Sequence, residues 1–403
     1  MLTSRHAMIL SLVLAVASPG RAAVLTATPD SIATIFSSAK GGDIIKLKGS
    51  FGSFGLQNKT FATTVTIDAT KAVFNDSVTI DSVSNLKIIG GTFGSLTQPT
   101  RTSRAISIYS SSNIALSKGF YVGNGTGVGV TMADSQNVTI SAGNFQKLRA
   151  GIGVTSSSNV RISSSRFIGM TSDGIDIADS HFVTADSNRC FAGNPGPGVH
   201  PDCVQLWSIL GNPVQSDILL TKNVVSGPTQ GLTSFNPENG GGLRITMTDN
   251  IISTSYPQGI ACYACVDSIF TGNVLSTLPG AQWRTTMNIV GGSNNTIANN
   301  SIAAYSNLQI GAGVPGASLQ VGTPFDNAGD PLPDYILHDL ALASAPALSL
   351  DSRSDAHRSA FTARRLTRSI AAVPEPLVWT QLLIGFAFIG SATRLRAAHP
   401  HRG

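Results

Sequence analysis

Two short phrases of the sequence carry acidic side chains at spacings that could support chemistry. The phrase DGIDI at 173–177 contains Asp173 and Asp176, and the phrase DCVQL at 202–206 begins with Asp202. Glycoside hydrolysis needs a pair of carboxyl groups, one protonated and one ionised. Aspartate also commonly ends a turn before a strand, so a purely structural role is the alternative interpretation.

Both phrases belong to an internal repeat whose copies are 22 to 29 residues apart. Short alternating strands at this period predict a β-solenoid, in which each coil buries its apolar side against the next coil. The spacing of a second set, Asn223, Asn250, Asn273 and Asn300, predicts a ladder of asparagines at one turn. Aligned on the first apolar residue, the repeat places in one buried column Ile106, Val128, Ile152, Ile175, Val204, Leu232 and Ile260.

Stacking predicts which residues are neighbours, because equivalent positions of successive coils lie about 4.8 Å apart. Asp173 is expected beside Asp202, and Asp176 beside Gln205, with Gln230 on the following coil. The same alignment puts glycines, Gly129 and Gly153, at the outward position of the preceding coils. The sequence therefore predicts an open groove with carboxylates on its floor.

The longest insertion in the repeat, residues 188–200, is expected beside this groove and ends at His200. Loops next to a groove often carry binding residues. His200 is a candidate general acid, metal ligand or sugar contact, and a loop histidine bonded to backbone is the alternative.

A short helix is expected before the first coil. Asp30 is predicted to cap an amphipathic helix that runs to Lys40, and residues 41–49 are predicted to begin the first strand. A helix over the open end of a solenoid protects unpaired backbone groups.

Composition excludes several classes of protein. Only 12% of the residues are charged and Gly counts 41, which excludes a coiled coil and favours an all-β chain with many turns. Residues 24–340 hold 17 Lys and Arg against 19 Asp and Glu, so the formal charge of +5 comes from the two ends of the chain. We therefore expect no nucleic-acid partner.

The four cysteines are Cys190, Cys203, Cys262 and Cys265. A zinc site needs four ligands, and no second pair or nearby histidine accompanies the Cys262–Cys265 spacing. We expect buried thiols or one disulfide.

Both ends of the chain resemble targeting signals. Residues 1–23 have the basic start, apolar run and small residues of a signal peptide. In the segment 373–403, Pro374-Glu375-Pro376, Trp379, an apolar run and a basic tail resemble the PEP-CTERM sorting signal of Gram-negative bacteria. The resemblance implies an exosortase-type processing enzyme and delivery to the cell surface, outer membrane or extracellular matrix. A plain C-terminal membrane anchor, a transmembrane helix, is the alternative.

The domain expected at 24–350, followed by a linker at 351–372, resembles the right-handed parallel β-helix proteins of the pectin-lyase-like superfamily. TSDGIDI and HPDCVQLW also resemble polygalacturonase signatures. That resemblance implies that Asp173 and Asp202 activate water. Pro201 stands where the family has a proton-donating Asp, and no Gly-His-Gly motif is present.

Two classes of function follow. One is an enzyme acting on an extracellular, acidic polysaccharide as a hydrolase, lyase or epimerase, with catalytic Asp173, Asp202 and His200. In a lyase or epimerase reaction, Lys222, Arg244 or Ca²⁺ would neutralise the negative charge of the uronate. The other is a non-catalytic adhesive protein of the cell surface or biofilm.

The targeting interpretation predicts the ends of the mature protein. Mass spectrometry of the exported form is expected to show loss of the first 17 to 23 residues and of the segment beyond about Pro376. An intact C-terminus on the surface-bound protein would leave only the plain membrane anchor.

Overall fold

The computed structural model describes residues 22–94, 104–196, 199, 201–235, 241–302 and the backbone of 307–310. His200, the predicted linker and the predicted sorting segment lie outside the described residues, as does the predicted signal peptide except for its last two residues. In the part of the chain that is described, no helix is both long and apolar enough to cross a bilayer.

The described residues form one short helix, and nearly everything else that is regular is β-strand. In chain order the first elements are β1 (Val24–Ala27), α1 (Ile32–Ser38), β2 (Ile44–Phe51), β3 (Phe54–Phe74), β4 (Val78–Ile89), β5 (Thr92–Gly94), β6 (Arg104–Tyr109), β7 (Ser112–Ser117), β8 (Phe120–Val122), β9 (Val128–Ala133), β10 (Gln136–Ser141), β11 (Asn144–Gln146), β12 (Ala150–Thr155), β13 (Ser158–Ser163) and β14 (Arg166–Ile168). They are followed by β15 (Ile175–Ala178), β16 (His181–Asp186), β17 (Arg189–Phe191), β18 (Asp202–Trp207), β19 (Ser216–Thr221), β20 (Val224–Gly227), β21 (Gln230–Ser234), β22 (Gly242–Thr248), β23 (Ile251–Thr254), β24 (Gln258–Tyr263), β25 (Cys265–Val266), β26 (Ile269–Thr271), β27 (Val274–Thr277), β28 (Thr286–Val290), β29 (Thr296–Ala298), β30 (Ser301–Ile302) and β31 (Asn307–Ile310).

The strands wind into a parallel β-solenoid of about 11 turns, as the repeat predicts. Each full coil contributes one strand to each of three parallel sheets. Sheet A contains β6, β9, β12, β15, β18, β21, β24, β28 and β31. Sheet B runs from β7 through β10, β13, β16, β19 and β22 to β26 and β29, and sheet C runs from β5 through β8, β11, β14, β17, β20, β23 and β27 to β30.

The predicted apolar column of sheet A is confirmed except at one residue. Ile106 pairs with Val130, and Val130 pairs with Ile152, so Val130 holds the place predicted for Val128. The phrase GVGV offers two valines two residues apart, and alignment on the first apolar residue selects the earlier one. The outward position of that coil is consequently Thr131, and not Gly129.

Sheet C carries a stack of aromatic rings inside the solenoid. In register from coil to coil, the rings belong to Phe74, Phe93, Tyr121, Phe145 and Phe167, with centroids 4.4–4.9 Å apart. Offset stacking of such rings adds to the free energy gained by their burial. The stack requires glycine on sheet A, because a Cβ on Gly151 would lie 2.4 Å from the ring of Phe167.

The predicted asparagine ladder is confirmed and begins one coil earlier, at Asn188. Each ladder amide donates from Nδ2 to the Oδ1 of the next asparagine, and that Oδ1 also accepts the backbone N–H of the asparagine before it. The four amides from Asn188 to Asn273 are fully buried. The ladder therefore satisfies polar groups at a turn that water cannot reach.

The N-terminal cap differs from the prediction. The helix spans Ile32–Ser38, its N-cap is Ser31, and the cap has no side-chain hydrogen bond, so Asp30 does not cap it. A strand, β1, precedes the helix and pairs with β2. The carboxylate of Asp43 accepts the backbone N–H groups of Ala23 and Lys40, each at 2.8 Å, and so joins this strand to the end of the helix region.

Two disulfides are present, Cys190–Cys203 and Cys262–Cys265, where buried thiols or one bridge had been predicted. Cys190 follows Phe167 in the stacked column of sheet C. Because the ring is replaced by a smaller side chain at this coil, sheet A can carry Cys203 at the position that glycine holds in neighbouring coils. The bridge therefore continues the interior packing where the aromatic stack ends.

The buried ladder predicts a large difference between two asparagine substitutions. Asn250→Ala is expected to destabilise the protein by about 2–4 kcal/mol, because it leaves the backbone N–H of Asn223 and the carbonyl of Leu220 without partners. Asn113→Gly removes an exposed amide that donates to Asn85 and accepts from Asn137, at φ 55°, and is expected to cost less than about 1 kcal/mol. Equilibrium unfolding of both variants tests this, and equal losses would contradict a structural role for the buried ladder.

Candidate functional site

Three aspartates from two adjacent coils meet on the outer side of sheet A. Asp173 lies just before β15, Asp176 lies within β15, and Asp202 is the first residue of β18. Asp176 pairs in register with Gln205, as the sequence predicts, and Asp202 pairs with Gln230. We call Asp173, Asp176 and Asp202 the carboxylate cluster.

Two members of the cluster are tied into the solenoid. Asp173 is 6% exposed, and its Oδ1 accepts the backbone N–H of Asp202 at 2.8 Å. Its Oδ2 accepts the hydroxyl of Ser172, also at 2.8 Å. Asp202 is 1% exposed, and its Oδ1 accepts the hydroxyl of Thr233 at 2.8 Å. Both carboxyl groups therefore have fixed orientations.

Asp176 is the member that reaches outward. It is half-buried, and the indole N–H of Trp207 donates a hydrogen bond to its carboxylate. Its Oδ1 is shielded from solvent and has no hydrogen-bond partner among the described residues. Asp176 is therefore the cluster carboxylate that still has an acceptor to offer.

Burial and mutual repulsion change the protonation of the cluster. Burial raises the pKa of Asp173 well above its ordinary value, and the charges of Asp176 and Asp202 raise it further. Burial also raises the pKa of Asp176 to about 6, with a contribution from the charge of Asp202, while Arg149 and the Trp207 hydrogen bond oppose the shift. Asp173 and Asp176 therefore take up protons at a higher pH than ordinary carboxylates do.

The space behind the cluster is too small for a sugar. A cavity of about 10 Å³, bordered by Ser172, Pro201, Asp202 and Thr229, lies at this edge of the solenoid. That volume corresponds to about one water molecule. Among the described residues, the outer face of sheet A is therefore the side from which a glycan could meet the cluster.

The two predicted cationic residues are not brought to the cluster. Arg244 lies on sheet B and forms an ion pair with Asp217, with nitrogen–oxygen distances of 2.5 and 2.6 Å. Lys222 is exposed in the turn that leads to Asn223, between sheets B and C.

Two neighbours of the cluster were missed in the sequence. Arg149 precedes β12, one coil before the cluster, and its carbonyl accepts the backbone N–H of Ser172 at 2.8 Å. Trp207 ends the phrase DCVQLW, two residues after Gln205. The repeat could have pointed to both residues, because Arg149 directly precedes its copy AGIGV at 150–154 and Trp207 directly follows its copy DCVQL at 202–206.

The sequence alone does not decide whether the protein binds a metal ion. In the described ranges, no group of three or more His, Cys, Asp or Glu side chains is arranged to hold a metal ion.

Comparisons with known proteins agree with the observed architecture. Residues 60–206 match the family model described as "Right handed beta helix region". The surface protein and adhesin PfbA of Streptococcus pneumoniae superposes with a TM-score of 0.51 at 14% identity, covering 68% of this chain and 87% of that one. At this identity the likeness shows the fold alone, a right-handed parallel β-helix.

Two further solved structures superpose less closely. Alginate lyase from Paenibacillus sp. str. FPU-7 gives a TM-score of 0.45 at 14% identity, covering 72% of this chain and 99% of that one. A Yersinia enterocolitica family 28 exopolygalacturonase gives 0.46 at 10% identity, covering 72% and 75%. No curated protein matches the chain in sequence.

The raised pKa values predict a pH-dependent effect of Asp176→Asn on stability. Folding favours the protonated form of Asp176, so its contribution to stability is full below pH 4 and is lost as the pH rises through about 6. The variant should therefore match the wild type near pH 4 and exceed it by about 1 kcal/mol or more at pH 8. Chemical unfolding at several pH values measures this difference, and a difference that does not change with pH would contradict it.

Proposed function

We propose that the protein is exported, binds an extracellular polysaccharide on the outer face of sheet A, and hydrolyses it at the carboxylate cluster. The observation that supports this best is that Asp173, Asp176 and Asp202 lie together on one face, where burial raises the pKa of Asp173 and of Asp176. Carboxyl groups with separated pKa values are how glycosidases obtain an acid and a base from the same residue type.

The proposal assigns a role to each cluster member. Asp173, whose pKa is raised well above its ordinary value by burial and by the charges of Asp176 and Asp202, supplies the proton for the leaving oxygen. Asp176, with a pKa of about 6, is ionised at neutral pH and acts as the general base toward water. Asp202 contributes its charge, which favours the proton on Asp173, and Thr233 fixes its orientation.

Hydrolysis agrees with the geometry better than a lyase or an epimerase reaction does. Those reactions remove a proton beside a uronate carboxylate, whose charge must be neutralised by a cation. Lys222 and Arg244 lie away from sheet A, and Arg149 must also offset the charge of Asp176. The cluster itself supplies negative charge, which opposes the binding of a second carboxylate.

Export is part of the same proposal. The sequence supports removal of residues 1–23 and recognition of the segment 373–403 by an exosortase-type enzyme, with 351–372 as the linker between domain and signal. A surface or matrix location would place the solenoid among extracellular polysaccharides.

A second candidate function is adhesion without catalysis. The deep burial of Asp173 and Asp202 favours it, because side chains 6% and 1% exposed have little access to a substrate. PfbA, with the same fold, is a surface protein and adhesin. In this version the cluster hydrogen-bonds sugar hydroxyls and breaks no bond.

The release of reducing ends from a panel of neutral and acidic polysaccharides distinguishes the two candidates. We expect hydrolysis of at least one polymer, without unsaturated products. Asp176→Asn is expected to lower the rate at least about a hundredfold, the usual loss when a general base is removed.

Asp134→Asn is the matched control, because Asp134 is an exposed aspartate at the turn after β9 and lies outside the cluster. It should retain the wild-type rate. If no polymer is cleaved but one is bound, the protein is an adhesin, and full activity in Asp176→Asn would remove the cluster from the mechanism.

A further inference from the structure

The outer face of sheet A continues beyond the carboxylate cluster for three more coils. In β18, β21, β24 and β28, the first outward position after the apolar column holds Gln205, Thr233, Ala261 and Asn288. The residues that begin β18 and β24 also contact this face, since Asp202 accepts from Thr233 and Gln258 accepts from Asn288. Gln230, which begins β21, pairs in register with Asp202. We call the outer face of these four strands the polar face.

One amide on the polar face breaks the pattern of coil-to-coil bonds. Gln230 begins β21, and the residue that could donate to it from the next coil is Ala261, which has no polar group. Gln230 is 7% exposed, and its Oε1 has no hydrogen-bond partner among the described residues. The Oδ1 atoms of Asp176 and Asn288 are likewise buried without partners there.

The unpaired atoms are all acceptors, so they require donors. Leaving a buried acceptor without a donor costs free energy, and a bound group that donates would recover it. Sugar hydroxyls donate hydrogen bonds, whereas ionised uronate carboxylates only accept them. Hydroxyl groups therefore suit this face, and a carboxylate in place of a hydroxyl does not.

An aromatic column borders the polar face. Trp207 ends β18, and Phe235 and Tyr263 hold the same position on the next two coils, where their ring centroids are 5.4 Å apart. On the preceding coils this position holds Ala133, Thr155 and Ala178. We call Trp207, Phe235 and Tyr263 the aromatic wall. It offers apolar surface for the C–H groups of sugar rings on three consecutive coils, whereas on the other side of the cluster the nearest aromatic side chain at this position is Tyr109 on β6.

Charge is scarce along the same coils. Within β18, β21, β24 and β28 the one charged side chain is Asp202, and Arg284 lies two residues before β28. A polyuronate would place repeated negative charges beside the cluster without basic side chains in these strands to balance them.

Resting on the proposed glycan site, we propose that the polar face and the aromatic wall bind an uncharged, hydroxyl-rich polysaccharide segment that extends from the cluster toward β28. The unpaired oxygens of Gln230 and Asn288 accept its hydroxyls, and the aromatic wall packs against its rings. This assigns a neutral polysaccharide where the sequence had suggested an acidic one.

Affinity electrophoresis of the intact secreted protein tests the ligand class. The probes are laminarin, pullulan and galactomannan, each beside the same polymer oxidised at its primary alcohols to carboxylates. We expect at least one neutral polymer to bind at least about tenfold more tightly than its oxidised form at low salt, with a smaller ratio at high salt. Tighter binding of the oxidised form, or binding of no neutral polymer, would overturn the proposal.

Two variants test the residues. Tyr263→Ala should weaken binding to the neutral polymer at least about tenfold, whereas Tyr109→Ala, at the same position of β6, should leave it unchanged. Gln230→Met removes an acceptor that has no partner, so the midpoint of unfolding should stay the same or rise while binding weakens several-fold. Unchanged binding in both Tyr263→Ala and Gln230→Met would overturn the assignment even where either variant alone folds poorly.

These outcomes separate this inference from the proposed hydrolysis. If Asp176→Asn abolishes cleavage but Tyr263→Ala and Gln230→Met bind normally, the cluster is catalytic and the polar face is not the binding surface. If Tyr263→Ala and Gln230→Met lose binding but no polymer is ever cleaved, the polar face binds a neutral polysaccharide and the hydrolysis proposal is wrong.

Discussion

Each side chain in the solenoid packs against the side chain at the same position of the next coil, because parallel strands hydrogen-bond in register along all three sheets. A residue type is therefore favourable at a position only if its side chain can pack against, or bond to, the side chain at the same position of the next coil. Isoleucine meets this condition by packing and phenylalanine by stacking. Asparagine meets it because one amide can donate to one coil while accepting from another. Ionised aspartate does not meet it, and the carboxylate cluster is where the molecule departs from this condition.

Side-chain amides have complete hydrogen bonds at one place on the coil and incomplete hydrogen bonds at another. This difference separates an amide that supports the fold from one that could bind a ligand. At the turn before sheet C, Asn250 bonds to the coils on both sides of it. On the outer face of sheet A, the acceptor of Gln230 stays unpaired, and Ala261, which follows Thr233 on the next coil, has no polar group to offer it. Both amides are buried, so burial alone does not distinguish them. What distinguishes them is whether the neighbouring coil completes their hydrogen bonds, and an incomplete set on one continuous face is what a ligand can complete.

Much of this arrangement could be predicted from the sequence because a solenoid converts spacing along the chain into contact. The column from Ile152 to Ile260, the pairing of Asp176 with Gln205 and the asparagine ladder all followed from alignment. The alignment failed at Val128 because two valines two residues apart fit equally well, and only backbone pairing selects Val130. The disulfides could not be assigned, since Cys203 meets Cys190 through a gap in the aromatic stack that spacing does not show. Which acceptors stay unpaired depends on rotamers, and sequence does not specify them.

Stacking also determines which coils would hold a bound polysaccharide and which coil would carry the reacting groups. Each coil supplies one row of the outer face, so the length of the bound segment depends on how many consecutive coils carry suitable rows. The rows of β18, β21, β24 and β28 are uncharged apart from the buried Asp202, and the row of β15 adds the outward-reaching acid Asp176. Chemistry is thus confined to one end of the face, while the remaining rows can only hold the chain. A change in one coil would then alter one row and leave the coils on either side intact, because the coils are joined by backbone bonds that do not depend on outward side chains.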